Sequence, residues 1–89
     1  MDLRMELMGL LGELGFDPAS IENDTRLRDD LAIDSTELVE IAVAIERRVS
    51  VSIDTGHFQA VDTFGEMVDF VRAAPARAAP VEAAGPVER

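Results

Sequence analysis

Between residues 35 and 49 the core-forming apolar side chains recur at three- and four-residue steps, at Leu38, Ile41, Ala42, Ile45 and Val49. At roughly 100° per residue this spacing gathers them on one face of an α-helix. A short helix is stable only when such a face is buried, so the chain must supply other apolar surfaces, most simply further helices, to cover it. Two are legible. From Asp2 to Leu14 the residues Leu3, Leu7, Leu10, Leu11 and Leu14 repeat at helical steps, and Gly15 stands where a C-terminal stop belongs. After Asp62 or Thr63 as a cap, Phe64, Met67, Val68 and Val71 form a third stripe, with Thr63-x-x-Glu66 as a capping box. Gly9 and Gly12 each cost the first helix up to about 1 kcal/mol relative to alanine, so packing of its leucines must hold it.

The segments between these helices are less regular. Asp17-Pro18-Ala19-Ser20 reads as a type I turn. Residues 15–33 make a long connection for a compact domain. Ile21, Leu27, Leu31 and Ile33 give it apolar anchors, and Thr25 is placed to cap a short turn. Ser50 to Asp54 alternates like a strand, yet no second strand is evident to pair with it, so an extended linker with Val51 and Ile53 inward is expected. One short helical turn is expected within 56–61. From Ala73 onward prolines interrupt an alanine-rich stretch without an apolar face. The expected fold is all-α: a small four-helix bundle of three main helices and one short one, with a long loop between the first two. The domain is expected over residues 1–72, with a disordered tail over 73–89.

One helix start carries chemistry. Asp34 with Glu37 fits a capping box, which makes Ser35 the first residue of the central helix. First-turn amides lack intrahelical partners and the helix dipole is positive there, so a phosphodiester on the Ser35 oxygen would sit in a favourable field. A serine at such a place is most often only a capping residue, and the surrounding residues distinguish this one. The stretch Leu27-Arg28-Asp29-Asp30-Leu31-Ala32-Ile33-Asp34-Ser35-Thr36-Glu37-Leu38 resembles the modification site of the acyl carrier protein family. The family motif is commonly D-L-G-x-D-S-L, followed by a helix with a Glu-Leu pair, and the serine after the aspartate carries 4'-phosphopantetheine. The resemblance implies that Ser35 bears this group, that Asp34 and Glu37 position it, and that the chain itself catalyses nothing. It also implies a phosphopantetheinyl transferase, an acyltransferase or adenylating enzyme, and a ketosynthase as partners.

Composition agrees with a protein-binding role. Eight basic against eighteen acidic residues give a formal charge of −10, which disfavours nucleic acid and anionic membranes as partners and favours basic protein surfaces. No apolar run approaches membrane-spanning length, and Asp2, Arg4 and Glu6 among the leucines do not read as a secretory signal, so a cytoplasmic protein is expected; the chain is also expected to be a monomer. Cysteine is absent, which excludes disulfides and thiolate metal sites and would leave a prosthetic thiol without a rival. The single histidine, His57, lies 22 positions from Ser35 without an evident orienting partner, and no phosphate-cradling glycine loop or metal-ligand spacing is present.

Val39 and Val43 fall off the core stripe of the central helix, with Thr36, Glu37, Glu40, Glu46 and Arg47 around them. The corresponding helix is the usual partner-recognition surface of the family, so the resemblance assigns docking to these residues. Asp29 and Asp30 add acidic groups from the loop. Three positions depart from the family pattern: Ala32 where glycine is common, Thr36 where leucine often follows the serine, and Arg47-Arg48 where the helix is often acidic. They point to a carrier dedicated to a specialised route, such as a polyketide or peptide-polyketide assembly line. An aminoacyl or peptidyl carrier using the same serine, and an unmodified acidic adaptor that binds through the two valines, are the alternatives.

Overall fold

The computed structural model describes residues 2–76. Helices α1 (Leu3–Glu13), α2 (Ser35–Val49), α3 (Thr55–Phe58) and α4 (Phe64–Ala73) follow in order, with a 3-10 turn at Pro18–Ser20. Helix α1 packs against both α2 and α4, and α3 packs against α2. Among the described residues there is no strand, only two isolated antiparallel bridges, so the all-α expectation holds.

Each helix starts where its sequence can satisfy free amides. Asp2 caps α1 by accepting from the Arg4 amide, and Asp54 caps α3 by accepting from Gly56 and His57. Helices α2 and α4 both begin with complete capping boxes, Asp34 with Glu37 and Thr63 with Glu66. Gly15 adopts φ 105, the left-handed region that an L-residue resists, and the chain turns there after α1. Asp17 caps the 3-10 turn with Pro18 at its first position, which gives the expected turn its form.

The core gathers Leu7, Leu10 and Leu11 from α1, Leu38, Ile41, Ala42 and Ile45 from α2, and Phe64, Met67, Val68 and Val71 from α4. Phe58 of α3 is fully buried and meets Phe70 edge to face, with ring centroids 5.6 Å apart. The loop closes one side: Ile21, Leu27 and Ile33 are buried and Leu31 partly so, as their spacing requires. Thr25 accepts from the Glu22 amide at 2.7 Å, capping a local turn while itself buried. Leu14 departs from expectation. It is 47% exposed, because α1 ends at Glu13 and the chain leaves the helical path before Leu14 can follow the stripe.

The linker also differs in one respect. Val51 and Ile53 do face inward, but the segment has a backbone partner: Ser52 donates to the Pro75 carbonyl at 2.9 Å and Val51 bridges Ala76. The alternation at 50–54 therefore had an acceptor beyond α4, where the prolines hid it. Helix α4 runs one residue past the expected boundary at 72, and residues 74–76 turn back along the linker. The rest of the tail expected to be disordered, 77–89, lies outside the described residues.

Candidate functional site

Ser35 is exposed at the first position of α2. The Asp34 carboxylate accepts from the Glu37 amide at 2.8 Å, and the Glu37 carboxylate accepts from the Asp34 amide at 3.3 Å. Two first-turn amides are satisfied in this way. Those of Ser35 and Thr36 have no acceptor among the described residues, and they lie at the positive end of the helix dipole.

The loop brings a cation to the same spot. Arg28 donates from Nη1 to the Ser35 hydroxyl at 3.3 Å, and from Nη2 to the Gln59 carbonyl at 3.2 Å and to Gln59 Oε1 at 2.7 Å. Gln59, the cap residue after α3, completes the link by donating from Nε2 to the Ser35 carbonyl at 3.0 Å. Neither Arg28 nor Gln59 was singled out by the sequence. Gln59 lies 31 positions from Arg28 and 24 from Ser35, and no local periodicity signals a contact over that distance.

The loop reaches Ser35 through a tight turn. The amides of Asp30 and Leu31 both donate to the Arg26 carbonyl, and that of Ile33 donates to the Leu27 carbonyl. Ala32 sits within this turn at φ 58. The departure from glycine at this position therefore carries a backbone cost of about 1–2 kcal/mol. Asp29 pairs with Arg26 at 3.0 Å, and Asp30 accepts from the Arg26 amide at 2.8 Å, so both loop carboxylates serve the turn itself.

On α2, Val39 and Val43 are 41% and 40% exposed, as expected, with Thr36, Glu40 and Arg47 exposed beside them. Of the other residues assigned to this face, Glu37 keeps its expected capping role and Glu46 does different work, as does Arg48 beside Arg47. Glu37 is half-buried and engaged in the capping box. Glu46 accepts from the Ile53 amide at 2.7 Å and so holds the linker against α2. Arg48 turns to α1 and pairs with Glu13 at 2.8 Å and Glu6 at 3.1 Å; these hydrogen bonds, Glu13's first, raise its pKa above the ordinary value. The expected positive pair is thus a single outward charge, Arg47. Leu14, outside the expected patch, lines a shallow hollow with Phe16, Glu37 and Glu40 and adds exposed apolar surface to this side of α2.

His57 lies at α3, its Nδ1 2.8 Å from Asp54. The hydrogen bond from the His57 side chain, followed by that from its backbone, lowers the Asp54 pKa below the usual carboxylate value. Both groups are exposed, and neither contacts Ser35. No cluster of three or more potential metal ligands occurs among the described residues.

An exposed serine at an open helix start, with a guanidinium beside it, can accommodate a phosphorylated group. Residues 6–71 match the family model for the phosphopantetheine attachment site. The acyl carrier protein of Saccharopolyspora erythraea is 31% identical over 75 residues, which cover 84% of this chain and 79% of that protein. That of Tropheryma whipplei (strain Twist) is 36% identical over 64 residues, covering 72% and 78%, and that of Thermotoga maritima is 29% identical over 59 residues, covering 66% and 73%. The chain belongs to the acyl carrier protein family.

It is therefore a carrier with a 4'-phosphopantetheine prosthetic group and not a catalyst, and it works with a phosphopantetheinyl transferase and with biosynthetic enzymes. The residues at the start of α2 fit that group: Ser35 has an accessible hydroxyl, two amides there lack acceptors, and the Arg28 guanidinium lies within hydrogen-bond distance. No helix among the described residues is long and apolar enough to cross a membrane.

Proposed function

We propose that Ser35 is the attachment point, and that the chain holds acyl intermediates there for enzymes of polyketide or fatty-acid-type biosynthesis in the cytoplasm. The observation that carries this reading is the open start of α2: Ser35 exposed at the first helical position, with Arg28 at 3.3 Å from its hydroxyl. The transferase joins Ser35 Oγ to the pantetheine-bearing phosphorus of coenzyme A. The bond from that phosphorus to adenosine 3',5'-bisphosphate breaks, and the serine proton passes to a base on the transferase. Asp34 and Glu37 keep the helix start, and with it Ser35, in one orientation. When bound, the group supplies a thiol on a flexible arm for thioester formation. The chain has no cysteine to compete with it.

Docking belongs to the outward face of α2. Thr36, Val39, Glu40, Val43 and Arg47 form a small apolar strip with a charged rim, the composition expected of a transient protein contact. Arg47 interrupts the acidic rim and favours partners that carry an acidic group opposite it over uniformly basic ones; a dedicated polyketide-type acyltransferase and ketosynthase are the partners proposed.

Incubation with coenzyme A and a broad-specificity transferase, followed by intact-mass measurement, tests the attachment. The native chain should gain one phosphopantetheine and Ser35→Ala none; a gain that survives the substitution overturns the assignment. Mass analysis of the protein isolated from its own source should find an acyl thioester, whereas an aminoacyl group would make it a carrier for peptide synthesis. For docking, Val43→Asp and Glu40→Arg should leave the helical circular dichroism intact and slow acyl loading by the cognate partner. Unchanged loading in both would move the interface off this face.

A further inference from the structure

Resting on Ser35 as the attachment point, we infer that Arg28, held by Gln59, is the counter-ion of the phosphodiester formed there. Six arginines lie among the described residues, and three of them, Arg26, Arg48 and Arg72, are in ion pairs with carboxylates. Arg4 lies over the Phe64 ring and donates to Asn23. Arg47 belongs to the outward face of α2. Arg28 alone is directed at Ser35, and it forms no ion pair among the described residues.

All three acceptors of Arg28 are neutral: a hydroxyl, a backbone carbonyl and an amide oxygen. Its charge is therefore fixed in place but not compensated. The acidic loop residues nearest in sequence do not compensate it, since Asp29 and Asp30 are engaged with Arg26. Gln59 supplies the rigidity by gripping the guanidinium through its amide oxygen and the Ser35 backbone through its amide nitrogen. A planar guanidinium matches phosphate oxygens through paired donors, and charge-assisted bonds of this kind are stronger than neutral ones. The free Ser35 and Thr36 amides lie on the same side of the charge balance.

The electrostatic need is concrete. Modification adds a further negative charge to a chain of formal charge −10, at a position flanked by Asp34 and Glu37. Arg28 offsets that charge and holds the root of the arm against the α2–α3 side of the domain. It is a positioning residue, and it does no chemistry.

The experiment compares unmodified and modified protein, with the mass gain confirmed first. In the native sequence the side-chain N–H resonances of Arg28 should move on modification in 15N-resolved NMR. In low salt the melting temperature of the modified form, relative to the unmodified, should be about 2–5 °C more favourable in the native protein than in Arg28→Gln. That difference should shrink in about 0.5 M salt, where the screening length is only a few ångströms. Arg28→Lys should keep part of it. Arg28 signals that hold their unmodified positions overturn the inference, and they require no variant to fold. Equal melting shifts in the native protein and Arg28→Gln overturn it too. Absence of any mass gain in the native chain is a different failure, which removes the attachment reading itself and this inference with it.

Discussion

At the start of α2, Asp34 and Glu37 exchange hydrogen bonds across the first turn; at the start of α4, Thr63 and Glu66 do the same. The first helical residue is Ser35 in one and Phe64 in the other, and their surroundings are opposite. Phe64 is fully buried, its amide donates to the Thr25 carbonyl at 2.9 Å, and the next amide, Gly65, donates to the Asn23 carbonyl at 2.9 Å. A side chain at Gly65 would come within 3.0 Å of that Asn23 oxygen, so glycine permits the loop to seal this end. At α2 nothing seals it. The Ser35 and Thr36 amides stay open, and an arginine approaches instead of a carbonyl. A capping box therefore starts a helix but does not make a site; at the proposed site the loop also leaves the remaining amides free.

The contrast can be broken at several points, and the largest effect belongs to the first residues themselves. Phe64→Ala should cost about 3–5 kcal/mol in urea denaturation, a large part of the stability of a domain this size. Ser35→Ala should stay within about 0.5 kcal/mol while abolishing the mass gain. Comparable losses from both would mean that Ser35 is part of the fold rather than an open site. Next come the caps. Thr63→Ala and Asp34→Ala should each cost about 1 kcal/mol, measured in the same way, but only Asp34→Ala should slow acquisition of the arm. If Thr63→Ala slows it equally, the two helix starts are coupled and the contrast weakens. The smallest effect is a gain: Ala32→Gly relieves the left-handed backbone before the α2 cap and should stabilise the chain by about 0.5–1 kcal/mol, after the extra freedom of glycine in the unfolded state is counted. Destabilisation instead would show that the Ala32 methyl packs usefully in the loop.

Much of the fold was legible because it is written in short-range patterns. The three apolar stripes, the two capping boxes, the Gly15 stop and the anchors Ile21, Leu27 and Ile33 each depend on residues a few positions apart. Leu14 failed because helical spacing persists in the sequence past the point where the backbone leaves the helix. The linker's partner failed for another reason: Pro75 cannot donate, but its carbonyl still accepts, so the pairing of Ser52 carries no strand-like signature. On the outward face of α2 the exposed valines were readable from their angle on the helix. The fates of Glu46 and Arg48 were not, because they depend on which neighbour each long side chain meets.

By itself the sequence determined that Ser35 opens a capped amphipathic helix, since capping acts within a single turn. It also determined that a thiol arriving on the arm would find no cysteine beside it. Only the tertiary structure decided that this helix start is the open one while that of α4 is sealed, and that Arg28 and Gln59 stand over the serine. Apart from the Arg28–Ser35 bond, which spans 7 positions, those choices rest on contacts between segments 24 or more positions apart, and burial and hydrogen-bond competition settle them only once the loop has closed on the helices.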